Sequence, residues 1–166
     1  MILLILQLFY HFLPAYFANM TPVFARQIKI LDWPINEKLF GSHKTWRGMI
    51  FGIIAAILIS FIQLQLQLDI QLYNYNSWFL FGFLMGAGAL LGDLIKSFFK
   101  RRAGIKAGQR WIPFDQMDFI FGAIIFSAQL FFVGFINSLV AITLTFFLHV
   151  ATNHAAFYLK IRKEKW

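Results

Sequence analysis

Cysteine is missing from this chain of 166 residues, and charged residues are scarce. Without cysteine there is no disulfide framework, no thiolate metal site and no cysteine nucleophile. Only 13% of the residues are charged and 60% are apolar, whereas a soluble domain has about 25% charged and about 45–50% apolar residues. This composition argues against a soluble globular domain. The 22 phenylalanines and 5 tryptophans argue equally against a disordered chain.

Four long runs contain no Lys, Arg, Asp or Glu, and they cover residues 1–25, 48–68, 70–92 and 119–159. A helix that crosses a bilayer needs about 20 apolar residues. The last run is long enough for two such helices, with a turn expected near Gly134. We therefore predict an all-α, polytopic membrane protein with a single integral-membrane domain over 1–166. Its five transmembrane helices are predicted at 2–25, 48–67, 78–100, 117–134 and 138–159.

Prolines and glycines inside these spans predict how the helices bend and pack. Pro14 and Pro22 predict that the first span is kinked or broken. In the third span, glycines recur four residues apart, which predicts close contact with neighbouring helices through small residues. The two pairs are Gly82 with Gly86 and Gly88 with Gly92.

The basic residues are confined to three segments of the chain. All 15 Lys and Arg lie within 26–47, 96–110 and 160–165, whereas the connections 68–77 and 134–138 contain none. Alternate connections of a five-span protein face the same side of the membrane. The positive-inside rule then predicts an N-terminus outside and a C-terminus in the cytoplasm. This orientation accounts for part of the net charge of +8, and no nucleic-acid partner is expected.

Three acidic residues lie at the predicted cytoplasmic ends of spans. Asp93 ends the uncharged run of the third span, and Asp115 and Asp118 open the fourth. Carboxylates at a membrane edge are costly and usually functional. Asp115 could equally serve as a helix cap. Asp118 lies one turn deeper on the same helix face, where a cap does not require a second acid.

Cations follow Asp93 along one stripe of the same predicted helix. Lys96 and Lys100 lie three and seven residues after it, and Ser97 lies four residues after it. A carboxylate beside a row of cations suits a divalent metal together with phosphates. The alternative for the basic run 100–102 is an anchor for anionic lipid headgroups.

The segment 41–48 is a second candidate for anion binding. It combines small residues and hydroxyls with Lys44 and Arg47, directly before a span whose helix dipole favours an anion. The alternative is a solvated loop whose cations only set the topology. Asn19 is a polar residue inside the first span, and we consider it a candidate to line a cavity in a broken helix.

Four blocks, read together in this order, resemble one enzyme family. They are LPAYFAN at 13–19, KTWRG at 44–48, GDLIKSFFKRR at 92–102 and PFDQMDF at 113–119. The pattern is similar to that of the CDP-archaeol synthase family, the short archaeal-type branch of the membrane CTP:phospholipid cytidylyltransferases. The longer phosphatidate cytidylyltransferases share only the Ser-x-x-Lys-Arg and Asp-x-x-Asp elements, and their His-Gly-Gly stretch is absent here.

The resemblance implies a Mg²⁺-dependent reaction in which CTP and a lipid phosphate give a CDP-lipid and pyrophosphate. The family's lipid is 2,3-bis-O-geranylgeranyl-sn-glycerol 1-phosphate, and the product is CDP-archaeol. By the same resemblance, Asp93, Asp115 and Asp118 hold Mg²⁺ and act in catalysis together with Lys100. The residues implied to bind CTP and the lipid phosphate are Asn19, Lys44, Thr45, Arg47, Lys96, Ser97 and Arg101.

The expected partners are CTP, the lipid phosphate and membrane lipids, at a site on the cytoplasmic face of the cell membrane. The oligomeric state stays open, a homodimer included. One alternative function is a phosphatidate cytidylyltransferase that makes CDP-diacylglycerol. Another, from a different class, is a small membrane transporter, which would place polar or charged residues deep within its spans.

Overall fold

The structure is a computed structural model that describes residues 1–106 and 109–158. Within these residues the chain forms seven α-helices and no β-strand, which confirms the predicted all-α class. A 3₁₀ turn at Ala25–Gln27 follows α2, and one isolated β-bridge joins Pro34 to Thr45. The helices are α1 (Ile2–His11), α2 (Leu13–Phe24), α3 (Glu37–Phe40), α4 (Trp46–Leu66), α5 (Trp78–Arg102), α6 (Phe114–Ser127) and α7 (Phe135–Tyr158).

The predicted first span is two helices. The chain breaks at Phe12 between α1 and α2, and the axes of the two segments differ by 52°. Pro14 lies in the first turn of α2, where a residue without an N–H group loses no helical hydrogen bond. The predicted break is thus confirmed near Pro14. Pro22 lies inside α2, which ends two residues later at Phe24.

Within the described residues, three helices are long and apolar enough to cross a membrane, and the bent pair of α1 and α2 would make a fourth. The predicted span at 117–134 is helical only in α6, whose 14 residues cover about 21 Å of a bilayer core about 30 Å thick. The predicted bounds are wrong because the chain turns after Ser127. The carbonyl of Ser127 accepts hydrogen bonds from the amides of Leu130 and Phe131.

A count of five spans therefore stays a prediction, as does the orientation of the termini. The last residue of the predicted fifth span and the C-terminal basic group at 160–165 lie outside the described residues.

Helix α5 is the centre of the bundle. It packs against α2, α3, α4 and α6, whereas α7 lies against α6 and α1. The glycines of α5 permit these contacts, as their spacing predicted. A Cβ atom at Gly82 would lie 2.7 Å from the Cα atom of Ile57 in α4, and one at Gly92 would lie 2.3 Å from the carbonyl oxygen of Asp118 in α6.

Gly92 directly precedes Asp93 in α5, and it packs against the backbone of Asp118 in α6. Packing through main-chain atoms therefore sets how closely Asp93 and Asp118 can approach.

Candidate active site

A cluster of six charged side chains occupies one end of the bundle, where the start of α4, the last turns of α5 and the start of α6 meet. We call it the charged cluster, and it consists of Asp93, Asp115, Asp118, Lys44, Lys96 and Lys100. All six residues were predicted from the sequence to belong to the site, and the structure brings them into one connected set of ion pairs. Lys44, from the loop before α4, forms an ion pair and a hydrogen bond with Asp93.

Lys96 lies at the centre of the charged cluster. Its Nζ atom is 3.1 Å from Asp93 Oδ1, 2.8 Å from Asp115 Oδ1 and 3.0 Å from Asp118 Oδ2. Of these three contacts, the one to Asp115 also has hydrogen-bond geometry. Asp118 Oδ2 is buried and accepts no hydrogen bond, so its contact with the ammonium is ionic alone.

Asp115 joins Lys96 to Lys100. Lys100 Nζ lies 2.9 and 3.0 Å from the two carboxylate oxygens of Asp115, and it donates to the carbonyl oxygen of Gln109 at 2.5 Å. The amide of Trp111 also donates to Asp115 Oδ2 at 2.6 Å. Helix α6 has Pro113 at its N-cap position, with no side-chain capping bond. Asp115 is therefore part of the charged cluster and does not cap α6.

The charged cluster is balanced and largely buried. Three carboxylates face three ammonium groups, and the exposed fraction of these side chains runs from 6% for Asp118 to 25% for Lys44. Buried ion pairs contribute little net stability, but removing one partner leaves an uncompensated charge that costs several kcal/mol, about 3–5. Each member of the charged cluster therefore depends on the others.

Two of the residues predicted to bind phosphate hold the loop that carries Lys44 in place. The Arg47 guanidinium donates to the carbonyl oxygen of Ile28, and the Arg47 amide donates to the carbonyl of Leu31 at 2.7 Å. Thr45 caps α4, because its Oγ1 atom accepts from the amide of Gly48 at 3.2 Å. These bonds hold the loop against the start of α4.

The remaining predicted residues lie at the margins. Ser97 donates to the carbonyl oxygen of Asp93 at 2.7 Å, one turn back in α5. Asn19 is half-buried on α2, and no hydrogen bond described for the chain joins it to the charged cluster. Arg101 points elsewhere, into a separate cavity of about 310 Å³. That cavity is lined by Lys38, Leu39, Phe98, Arg101 and Arg102.

In the part of the chain that the structure describes, two cavities border on the charged cluster. A small one, about 50 Å³, lies beside the Lys44–Asp93 pair and is also lined by Pro22, His43 and Thr45. A larger one, about 400 Å³, lies between α5 and α6, and we call it the α5–α6 cavity. Its lining is almost wholly apolar, with Lys96 and Asp118 as its charged members. The apolar part consists of Leu91, Gly92, Ile95, Phe99, Trp111, Phe114, Met117, Phe121, Gly122, Ile125 and Phe126.

Two residues that sequence reasoning missed contribute main-chain atoms to the site. The carbonyl of Gln109 and the amide of Trp111 bind Lys100 and Asp115. Any residue type can supply these groups, so no pattern of side chains could have identified them.

The oxygen atoms of the charged cluster are the kind of ligand that Mg²⁺ prefers. Among the residues that the structure describes, no group of three His, Cys, Asp or Glu side chains is already arranged as a metal site. The group that all three carboxylates contact is the Lys96 ammonium. Asp118 Oδ2 faces the Lys96 ammonium at 3.0 Å and accepts no hydrogen bond. Mg²⁺ requires oxygen atoms at about 2.0–2.1 Å. By its chemistry, the set of three carboxylates fits this cation.

Comparison with known proteins relates the whole chain to one family. The family model of the CarS-like CDP-archaeol synthases matches residues 1–166. A CDP-archaeol synthase from Pyrococcus furiosus is 34% identical over 167 residues, which cover 98% of each chain. One from Thermococcus kodakarensis is 31% identical over 95% of this chain and 94% of its own.

A solved structure shares the fold. It is described as an intramembrane enzyme for archaeal membrane lipids biosynthesis, and it superposes with a TM-score of 0.76 at 28% sequence identity. The match covers 90% of this chain and 94% of the other.

Proposed function

Since the chain belongs to the CDP-archaeol synthase family, we propose that it transfers a cytidylyl group from CTP to an archaeol-type lipid phosphate. The products are a CDP-lipid and pyrophosphate. The observation that supports this most directly is the position of the charged cluster at the edge of the α5–α6 cavity. A reaction between a nucleotide and a lipid phosphate needs a polar centre of this kind next to apolar space.

The reaction follows from the charges that it brings together. A phosphate oxygen of the lipid attacks the α-phosphorus of CTP in line, and the bond from that phosphorus to the bridging oxygen of the leaving pyrophosphate breaks. The lipid phosphate is already an anion at neutral pH, so no general base is required. Catalysis of phosphoryl transfer consists mostly of positioning and charge neutralisation.

Lys44 and Lys100 are the residues that we assign to the phosphates of CTP. They lie at the two ends of the connected set of ion pairs, and each holds an acid that a phosphate could replace. Asp93, Asp115 and Asp118 are the residues that would hold Mg²⁺, which supplies further positive charge to the phosphates. Together these groups would orient CTP and stabilise the charge that develops on pyrophosphate.

The α5–α6 cavity is our proposed site for the lipid. Aromatic and aliphatic side chains line it along both helices, and its charged members lie at the end near the start of α6. A lipid whose chain occupied this cavity would present its phosphate to Lys96 and Asp118.

We further propose that the site faces the cytoplasm of a multi-pass protein of the cell membrane. The loop that carries Lys44 and the last turns of α5, which carry Lys100, meet at one end of the bundle. Both belong to the basic segments that the positive-inside rule assigns to the cytoplasm. CTP is available on that side.

The decisive assay supplies labelled CTP to the purified protein with a geranylgeranyl ether lipid phosphate, with and without Mg²⁺. A matched reaction uses phosphatidate, the ester substrate of the alternative enzyme. We expect a labelled CDP-lipid from the ether substrate only when Mg²⁺ is present. Product from phosphatidate alone would make the chain a phosphatidate cytidylyltransferase, and no product from either lipid would refute cytidylyl transfer.

A further inference from the structure

Lys96 occupies the point at which the three carboxylates converge. Its ammonium lies 2.8–3.1 Å from one oxygen each of Asp93, Asp115 and Asp118, and its side chain is only 14% exposed. Three carboxylates held this close would repel one another if no positive charge lay between them. The lysine therefore supplies, from within the chain, the charge that a bound divalent cation would otherwise supply.

We propose that Lys96 is an internal counter-ion that keeps the three carboxylates assembled until a divalent cation arrives with the nucleotide. Its ammonium then leaves the carboxylates and turns towards the phosphates. This inference rests on the proposed function, because the incoming cation and nucleotide are those of cytidylyl transfer. It makes Lys96 a positioning residue for the metal ligands before substrates bind.

The distances show why the two cations must exchange. Carboxylate oxygens now lie about 3 Å from the ammonium nitrogen, whereas Mg²⁺ binds oxygen at about 2.0–2.1 Å. Each oxygen would have to move inward by about 0.9 Å, into space that the ammonium occupies. Lys96 also lines the α5–α6 cavity, so its flexible side chain has room to withdraw to the place proposed for the lipid phosphate.

The balance of charge predicts when the exchange takes place. Lys44, Lys96 and Lys100 neutralise the three carboxylates, so the ligand-free protein offers no net negative charge to a metal. CTP adds its own negative charges to the same place. A divalent cation should therefore bind weakly on its own and strongly together with CTP. CTP can be used in this binding measurement because it is not consumed when no lipid phosphate is present.

The test compares Mn²⁺ binding to the wild-type protein and to Lys96→Gln in the absence of nucleotide, measured by the electron paramagnetic resonance of free Mn²⁺. Removing one positive charge from between the acids should tighten binding about tenfold or more. The matched control is Lys29→Gln, which removes the same charge from an exposed residue outside the ion pairs described. It should bind Mn²⁺ as the wild type does.

Equal or weaker Mn²⁺ binding by Lys96→Gln would overturn the proposal. If that variant does not fold, thermal unfolding of the wild type decides instead. Millimolar Mg²⁺ alone should leave the melting temperature unchanged, and Mg²⁺ with CTP should raise it; an equal rise with Mg²⁺ alone would overturn the proposal. Failure of the wild type to make a CDP-lipid would refute the proposed function. The comparison of Mn²⁺ binding by the wild type and Lys96→Gln without nucleotide would still decide the role of Lys96.

Discussion

Replacing Gly92 by alanine should impair the chemistry through the backbone. The new Cβ atom would lie 2.3 Å from the carbonyl oxygen of Asp118, whereas ordinary contact begins at 3.4 Å. The atom in its way belongs to the backbone and cannot rotate aside, so α5 and α6 must separate locally by about 1 Å. Displacements of about 1 Å in a catalytic site can cost about 100-fold in rate. We therefore expect turnover of Gly92→Ala to fall about 100-fold.

The matched control is Gly82→Ala, ten residues earlier in α5. Its Cβ atom would lie 2.7 Å from the Cα atom of Ile57 in α4, about 15 Å along the helix from the acids. Overpacking at either glycine should lower stability by about 1–3 kcal/mol. Only Gly92→Ala should also lose turnover.

The assay is CDP-lipid formation at saturating CTP and lipid phosphate, normalised to the folded fraction from thermal unfolding in detergent. Turnover of Gly92→Ala within threefold of the wild type would refute the reasoning. So would an equal loss of turnover in the two variants at equal folded fractions, because the separation of α5 from α6 would then not be what matters.

Three further predictions concern charge and topology. Asp118→Asn keeps the size of the side chain but removes its charge, so turnover normalised to the folded fraction should fall by orders of magnitude; near-normal turnover at unchanged Mg²⁺ dependence would contradict its assignment. Lys44→Ala should raise the Michaelis constant for CTP through loss of a phosphate contact. Lys29→Ala should leave it unchanged, and equal effects in the two variants would indicate a general loss of positive charge. Cysteines introduced at Ser42 and Ser77 should react with impermeant thiol reagents from opposite sides of the membrane, and labelling of both from outside would contradict the proposed orientation.

The acids of the site could be predicted from the sequence because their positions follow from simple geometry. Asp93 ends one apolar run and Asp118 begins the next, so a helical hairpin must bring them to the same end of the bundle. Their contact at one ammonium is confirmed by the structure. Helical spacing also placed Lys96 on the stripe of Asp93, but spacing within one helix does not reveal what the partner helix presents to it.

The roles of neighbouring cations could not be separated in this way. Lys44 and Arg47 lie three residues apart in one motif, yet Lys44 joins the charged cluster while Arg47 binds the carbonyl of Ile28. Their difference depends on how the irregular loop before α4 folds back, and no periodicity describes that loop. Arg101 likewise faces away from Lys100 because adjacent residues of a helix point about 100° apart.

The end of α6 was misjudged for a different reason. Residues 128–134 are uncharged and mostly apolar, so hydropathy continues past the turn that Ser127 makes. The apolar character of a segment indicates that it lies in apolar surroundings, but it does not show where the helix ends.

Because α6 is short, the activity of this protein should depend on the thickness of the bilayer. A helix of 14 residues covers about 21 Å, and a core of about 30 Å meets such a mismatch by thinning beside it. Because α6 forms one wall of the α5–α6 cavity, the thinning would lie beside the proposed lipid site and would bring headgroups towards the acids. We therefore expect turnover in nanodiscs to fall as the chains of the host lipids lengthen, and a rate independent of chain length would show that no such deformation assists entry. In a stiffer or thicker membrane, this protein would then form CDP-lipid more slowly.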